Sequence, residues 1–305
     1  MFVTIITTMR NFKVIISICL IIFPLLGCGF ESSDNRSQST ESETYSIDNV
    51  GSDTMVNLAL AWAEEYQNLQ PNIRISVTGG GSGTGITSLI NKSTDIANAS
   101  RVIKSEEIEA AKAQGIDPIQ FNVARDAIAV IVNPNNPIDQ LTLEQISDIY
   151  SGKINNWKEI GGEDRPIVRL SRETNSGTHV YFLETVLRLG QVDNKTLFSP
   201  DTLLLPSSEG IIAEVSDNPN TIGYDGLGYV TPEVKLIAVA KDNKSTFEYP
   251  SIETVNNNTY PIARDLYMYT AGQPVGALKD YIDWILSAEG QVIVANLGFV
   301  PILLP

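Results

Sequence analysis

Histidine and cysteine are almost absent from this chain. One histidine, His179, and two cysteines, Cys19 and Cys28, occur in 305 residues. Both cysteines lie near the start, so the rest of the chain has no disulfide framework and depends on a packed core. A lone imidazole cannot assemble a His/Cys zinc site. His179 is also the sole imidazole base available to a serine nucleophile, and Gly80-Gly81-Ser82-Gly83-Thr84 does not complete a Gly-x-Ser-x-Gly elbow. The same run lacks the Gly-Lys-Ser/Thr ending of a nucleotide-binding loop. Positive charge is scarce: 21 Lys and Arg against 36 Asp and Glu give a net charge of −15. That balance argues against nucleic acid or an anionic membrane surface as a partner. It does not exclude a small anionic ligand, because charges beyond about 8 Å are largely screened and a buried site answers to its own dipoles and arginines.

An apolar run at residues 14–26 follows Arg10 and Lys13. It is shorter than the roughly 20 residues of a membrane span and has the shape of a signal-peptide core. The run ends in Leu25-Leu26-Gly27-Cys28, which resembles a bacterial lipobox; by that resemblance residues 1–27 are cleaved and Cys28 carries lipid. Residues 28–44 are rich in Ser, Glu, Thr and Asn and read as a disordered tether.

What the chain has in abundance is hydroxyl and glycine at the start of helical patterns. Gly51-Ser52-Asp53-Thr54, Gly79-Gly80-Gly81-Ser82-Gly83-Thr84-Gly85 and Arg172-Glu173-Thr174-Asn175-Ser176-Gly177-Thr178 each open a segment with helical apolar spacing. A helix start presents free N–H groups and the positive end of the dipole. Glycine admits close backbone approach, and Ser and Thr donate without adding charge. Any one such motif is more often an N-cap than a ligand site. Three of them, with Arg172 four residues before Ser176, suggest a cage for a tetrahedral oxyanion.

Helical and strand patterns alternate beyond the tether. The spacing predicts a helix over residues 53–69 with Val56, Leu60 and Ala63 on one face, a strand at 73–77, a helix at 86–91 and a short strand at 95–99. A helix at 105–114, a buried strand at 127–132, a helix at 143–150, a strand at 168–171 and a helix carrying Val180, Leu183, Val186 and Leu187 follow. Strand, loop and helix in alternation predict an α/β fold with largely parallel sheets, whose ligands sit at the carboxyl ends of strands.

Five segments, in order, resemble the phosphate-binding lipoproteins of phosphate-specific ABC importers: residues 50–55, residues 79–85, Ile96-Ala97-Asn98-Ala99-Ser100-Arg101, Tyr150-Ser151-Gly152-Lys153-Ile154-Asn155-Asn156-Trp157, and residues 171–178. The resemblance implies a two-lobed periplasmic-binding-protein fold of type II with phosphate in the cleft between lobes. Residues 45–124 plus 263–305 would form lobe 1 and residues 125–262 lobe 2. Val123-Ala124-Arg125-Asp126-Ala127 and Ile262-Ala263-Arg264-Asp265-Leu266 would be the two crossover strands.

Carried over position by position, the family's ligand contacts fall on Ser52, Thr54, Ser82, Gly83, Ser100, Arg172, Ser176, Gly177 and Thr178. Many members place an aspartate where this chain has Arg101, and another two residues after the motif arginine, where it has Thr174. A second branch of the family shares the Ala-Ser-Arg form. The missing acceptor for the proton of hydrogen phosphate is then sought at Asp53 or Asp126, with an N-cap or an ion pair to Arg125 or Arg264 as the alternative duties. Arg101 would either face phosphate or neutralise one of these aspartates. The resemblance implies capture of inorganic phosphate outside the cytoplasmic membrane, delivery to ABC permease subunits, a monomer held to the membrane by its lipid alone, no cofactor and no catalysis. Sulfate or molybdate as ligand, a surface phosphoesterase using Ser82 or Ser176 with His179, and a non-transport adhesin or phosphate sensor are the competing readings.

Overall fold

The computed structural model describes residues 44–302; the signal segment, Cys28 and all of the tether but Thr44 lie outside the described residues. The first half runs β1 (Tyr45–Gly51), a 3-10 turn (Asp53–Met55), α1 (Val56–Leu69), β2 (Ile73–Thr78), α2 (Ser82–Ile90), β3 (Ile96–Ala99), α3 (Ser105–Ala113) and the long β4 (Ile119–Val132). Then come β5 (Gln140–Thr142), α4 (Leu143–Tyr150), β6 (Val168–Arg172), α5 (Gly177–Phe182), β7 (Leu203–Leu205), α6 (Ser208–Asp217) and β8 (Thr221–Gly226). The chain closes with β9 (Lys235–Leu236), β10 (Ala238–Ala240), α7 (Ile252–Asn256), β11 (Ala263–Thr270), α8 (Gly276–Ile285) and α9 (Ala288–Asn296).

A nine-stranded sheet takes the order β2-β1-β3-β11-β4-β8-β6-β7, with β9 added to β4. β1 pairs in parallel with β2 and β3, and β6 in parallel with β7 and β8. The strands joining these two groups are antiparallel: β11 with β3 and β4, and β4 with β8. β4 changes partner along its length, meeting β11 up to Ala127 and β8 from Ile128 onward. The two Arg-Asp pieces therefore lie side by side, in a register that sets Arg125 opposite Asp265 and Asp126 opposite Arg264. Because strand neighbours point to opposite faces, one of these ion pairs is exposed and the other sealed inside. Arg125–Asp265 is 3.5 Å apart with both side chains partly exposed, whereas Arg264–Asp126 is 3.0 Å apart with both buried.

Two predicted elements are longer than the local pattern gave. The strand at 127–132 is the end of a fourteen-residue strand, since Ile119 to Asn122 alternate polar and apolar as a half-buried edge of the same run. α2 begins at Ser82 rather than Ile86, inside the glycine run. Gly81 holds φ at +89°, and a Cβ there would meet the Asn175 carbonyl oxygen at 2.9 Å, so only glycine fits that turn.

α1 buries a different face from the one predicted. Leu58, Ala59, Trp62, Ala63 and Tyr66 are buried, whereas Leu60 is 47 % exposed. The aromatic residues set this register. Trp62 Nε1 donates to the Gly290 carbonyl at 2.8 Å, and the Tyr66 ring packs on Tyr281 and Trp284 of α8. Large rings carry more area than Leu60 could bury, so the helix turns to seat them. The helix after the third motif widens into a π turn at Leu183–Leu187, with Val186 and Leu187 inward.

Candidate functional site

The three hydroxyl-rich motifs converge. β1 ends at Gly51 and delivers Ser52 and Thr54; β3 ends at Ala99 and delivers Ser100; β6 ends at Arg172, and the following loop delivers Ser176, Gly177 and Thr178. Ser82 opens α2, a nine-residue helix. Ser52, Thr54, Ser82, Ser100, Ser176 and Thr178 are all buried.

Their hydroxyls form two hydrogen-bonded groups, Ser52, Ser82 and Ser100 on one side and Thr54 with Thr178 on the other. Ser52 Oγ donates to Ser100 Oγ at 2.9 Å, Ser82 Oγ lies 3.3 Å from Ser100 Oγ, and the Ser100 N–H donates to Ser82 Oγ at 3.0 Å. Thr54 Oγ1 lies 2.8 Å from Thr178 Oγ1. Gly177 is pressed against them: a Cβ at that position would sit 2.4 Å from Ser82 Oγ and 2.5 Å from Ser100 Oγ. Ser176 caps α5, its Oγ accepting from the Thr178 N–H at 3.2 Å. Gly83 lies beside the cluster, with its N–H donating to the Asn175 carbonyl.

Two guanidinium groups flank these hydroxyls. Arg264 donates through Nη2 to Thr178 Oγ1 at 2.9 Å and to Thr54 Oγ1 at 3.4 Å, and through Nη1 to the Ser100 carbonyl at 2.9 Å. Its Nε and Nη2 also hold Asp126 Oδ2. Arg172 spans the Asp53 carboxylate, Ser208 Oγ, the Pro206 carbonyl and Asp225 Oδ2. Its Nε is buried without a partner. Asp53 in turn accepts the Gly80 N–H at 2.7 Å, and its carbonyl accepts the Tyr229 hydroxyl. Asn175 ties the third motif to the second by donating from Nδ2 to the Gly80 carbonyl at 2.9 Å.

Asp126 therefore carries the ion pair to Arg264, with a further N–H from Leu227 on Oδ1 at 3.3 Å. Burial pushes its carboxyl up to about 6, against the pull of the Arg264 charge. Burial also raises Asp225, opposed by Arg172. Arg101 neutralises neither Asp53 nor Asp126. It is held bidentately by Glu107 of α3, at 2.6 and 2.8 Å, because Glu107 is the carboxylate one helical turn into α3 and faces back toward its start. Thr174, where many relatives of this pattern carry aspartate, is exposed, and the carboxylates on Arg172 come from Asp53 and Asp225 instead. His179 Nδ1 bonds Ser171 Oγ at 3.0 Å and its ring stacks on Phe198; burial lowers its basicity. Neither Ser82 nor Ser176 reaches it, so the serine–histidine pair of the esterase reading is not assembled.

The Arg264 partner offered for Asp126 is the one observed, whereas Asp225 and Ser208 stand in none of the motifs. Asp225 could have been found by position, since it stands at the carboxyl end of β8, the end of an α/β strand where ligands gather. Arg264 stands on the second of the two Arg-Asp pieces, and the antiparallel register of β11 on β4 sets it opposite Asp126. A cavity of about 290 Å³ reaches Arg264 from outside, bounded by Arg101, Lys104, Tyr181 and Asp265. A larger one, about 570 Å³, lies apart from the cluster beside Leu143, Lys241 and Tyr260. No group of His, Cys, Asp and Glu able to hold a metal ion occurs among the described residues.

The profile of the PBP superfamily domain matches residues 37–289. The Phosphate-binding protein PstS of Pseudomonas aeruginosa is 33% identical over 282 residues, covering 87% of this chain and 85% of that protein. PstS of Bacillus subtilis is 29% identical over 302 residues, with 96% and 95% covered. Among solved structures, a putative phosphate ABC transporter substrate-binding protein from Clostridium perfringens, crystallised with bound phosphate, superposes with a TM-score of 0.75. It shares 33% identity, with 85% of this chain and 100% of that one covered.

Proposed function

The chain belongs to the PstS family of phosphate-binding proteins within the PBP superfamily, and from that premise we propose that it binds inorganic phosphate outside the cytoplasmic membrane and delivers it to an ABC permease for import. The observation that carries this reading is the set of buried hydroxyls on Ser52, Ser82 and Ser100 and on Thr54 and Thr178, two hydrogen-bonded groups joined by the Arg264 guanidinium. Such donors match the oxygens of a tetrahedral anion in number and direction, and a dry setting strengthens each bond. The N–H groups of Ser82 and Gly177 complete the cage, those of Gly83 and Thr178 being held by the Asn175 carbonyl and Ser176 Oγ. The ligand is held and released unchanged, since the one imidazole is committed to Ser171 and stacked on Phe198.

The finer parts of the proposal follow the same frame. Residues 45–124 plus 263–305 form one lobe and residues 125–262 the other, with β4 and β11 as the crossovers. Contacts such as Asp53 with Arg172 and Gly80 with Asn175 join residues of opposite lobes, which supports a cleft that closes over its ligand. Cys28 carries a lipid that tethers a monomeric receptor beside its permease.

The test is phosphate uptake by cells lacking the gene, complemented with the full chain or with a Cys28→Ala form. Uptake at low phosphate should need the full chain. Unchanged uptake in the deletion strain would refute the transport role, and turnover of a chromogenic phosphate ester by the purified protein would favour the esterase instead.

A further inference from the structure

The third motif grips the glycine run at an exposed point beside the hydroxyls. Asn175, in the loop between β6 and α5, donates from Nδ2 to the Gly80 carbonyl at 2.9 Å, and its own carbonyl accepts the Gly83 N–H at 3.1 Å. We infer that Asn175 is a latch, which holds the glycine run against the third motif while phosphate is seated and so sets how fast the ion leaves. It takes no part in recognising the ion. The inference rests on the phosphate-binding reading and the two-lobe frame above, in which Gly80 and Asn175 stand on opposite lobes, and it names the residue that governs release.

Close approach of the two backbones is written into the sequence. Gly81 holds φ at +89°, and a Cβ there would meet the Asn175 carbonyl oxygen at 2.9 Å; one at Gly83 would meet the same oxygen at 3.4 Å. Bare Cα positions let the run lie directly on Asn175. The amide then supplies an N–H to the Gly80 carbonyl, where a carboxylate would set oxygen against oxygen.

Position in the chain couples the latch to the site. Gly80 and Gly81 lead into Ser82, and Asn175 leads into Ser176, Gly177 and Thr178. Where Gly177 presses on Ser82 and Ser100, its near neighbour Asn175 is carried onto Gly80. The N–H of the same Gly80 is held by Asp53 Oδ1, while Asp53 Oδ2 accepts from Arg172. A second strap thus runs from the third motif to the same residue, through a buried and charged arginine. Asn175 is instead exposed and neutral, and its amide bonds backbone rather than a hydroxyl of the site. Removing its side chain therefore loosens the closed form without taking away a group that faces the ion.

The test uses purified wild type, Asn175→Ala and Asn175→Asp, with folding checked by circular dichroism. The dissociation rate is read by chasing bound radiolabelled phosphate with excess unlabelled phosphate, and Kd by equilibrium dialysis; their ratio gives the association rate. Loss of one exposed hydrogen bond should speed dissociation about 3- to 10-fold in Asn175→Ala, and Asn175→Asp should release faster still. Kd should rise by the same factor, leaving association within about twofold of wild type. Unchanged dissociation in both variants would overturn the inference. So would a weaker Kd that comes mainly from slower association, since Asn175 would then shape the open site. Either result leaves phosphate binding standing, whereas a wild type that binds no phosphate would refute the function and the latch with it.

Discussion

Gly177 is the residue on which the site is most finely poised. Its missing side chain leaves room for Ser82 Oγ and Ser100 Oγ, which a Cβ would overlap at 2.4 and 2.5 Å. Gly177→Ala should therefore push both hydroxyls out of the cluster and cost far more phosphate affinity than Ser82→Ala. The latter removes one donor and should cost about 1.5–3 kcal/mol. Titration of the two variants decides it, and equal small losses would place the cluster outside the binding site. Asp126 gives a second residue-level test. Its folded carboxyl titrates near 6, above an ordinary 3.8, so the native state takes up its proton before the unfolded chain does. The stability this provides is fully present below the unfolded value and is lost as pH rises through about 6. The urea midpoint of the wild type should fall, between about pH 4.5 and about pH 7, by more than that of Asp126→Asn. Parallel curves for the two proteins would show that Asp126 does not titrate in that window.

At the scale of elements, the motifs were legible because their chemistry is local: a turn glycine, a helix-start hydroxyl and a strand end announce themselves within a few residues. What was not legible depends on partners far along the chain. The existence of α1 could be read from its period, but its buried face is set by Gly290, Tyr281 and Trp284 from α8 and α9. Likewise the place of Arg264 follows from the register of β11 on β4, which no single segment encodes. The turned helix makes a direct prediction. Leu58→Ala empties a fully buried position and should cost about 2–5 kcal/mol, while Leu60→Ala, on the exposed face, should stay within about 0.5 kcal/mol. Urea unfolding of both variants measures this, and a reversal would restore the face that the sequence period suggested.

At the scale of the whole molecule, the chain has a net charge of −15, and the site proposed above would hold an anion through neutral donors and internally paired arginines. The donors alone do not tell hydrogen phosphate from sulfate, since both are tetrahedral dianions. Discrimination requires an acceptor that meets the proton of phosphate and is left unpaired against sulfate, and Asp53 and Asp126 both border the cluster with their oxygens engaged by N–H donors. Titration calorimetry of the purified protein with phosphate and then with sulfate tests the central claim most directly. The account predicts one saturable phosphate site per chain and sulfate weaker by at least about 1.4 kcal/mol, a factor of ten. Equal affinity for the two ions, or no heat with phosphate at all, would contradict it.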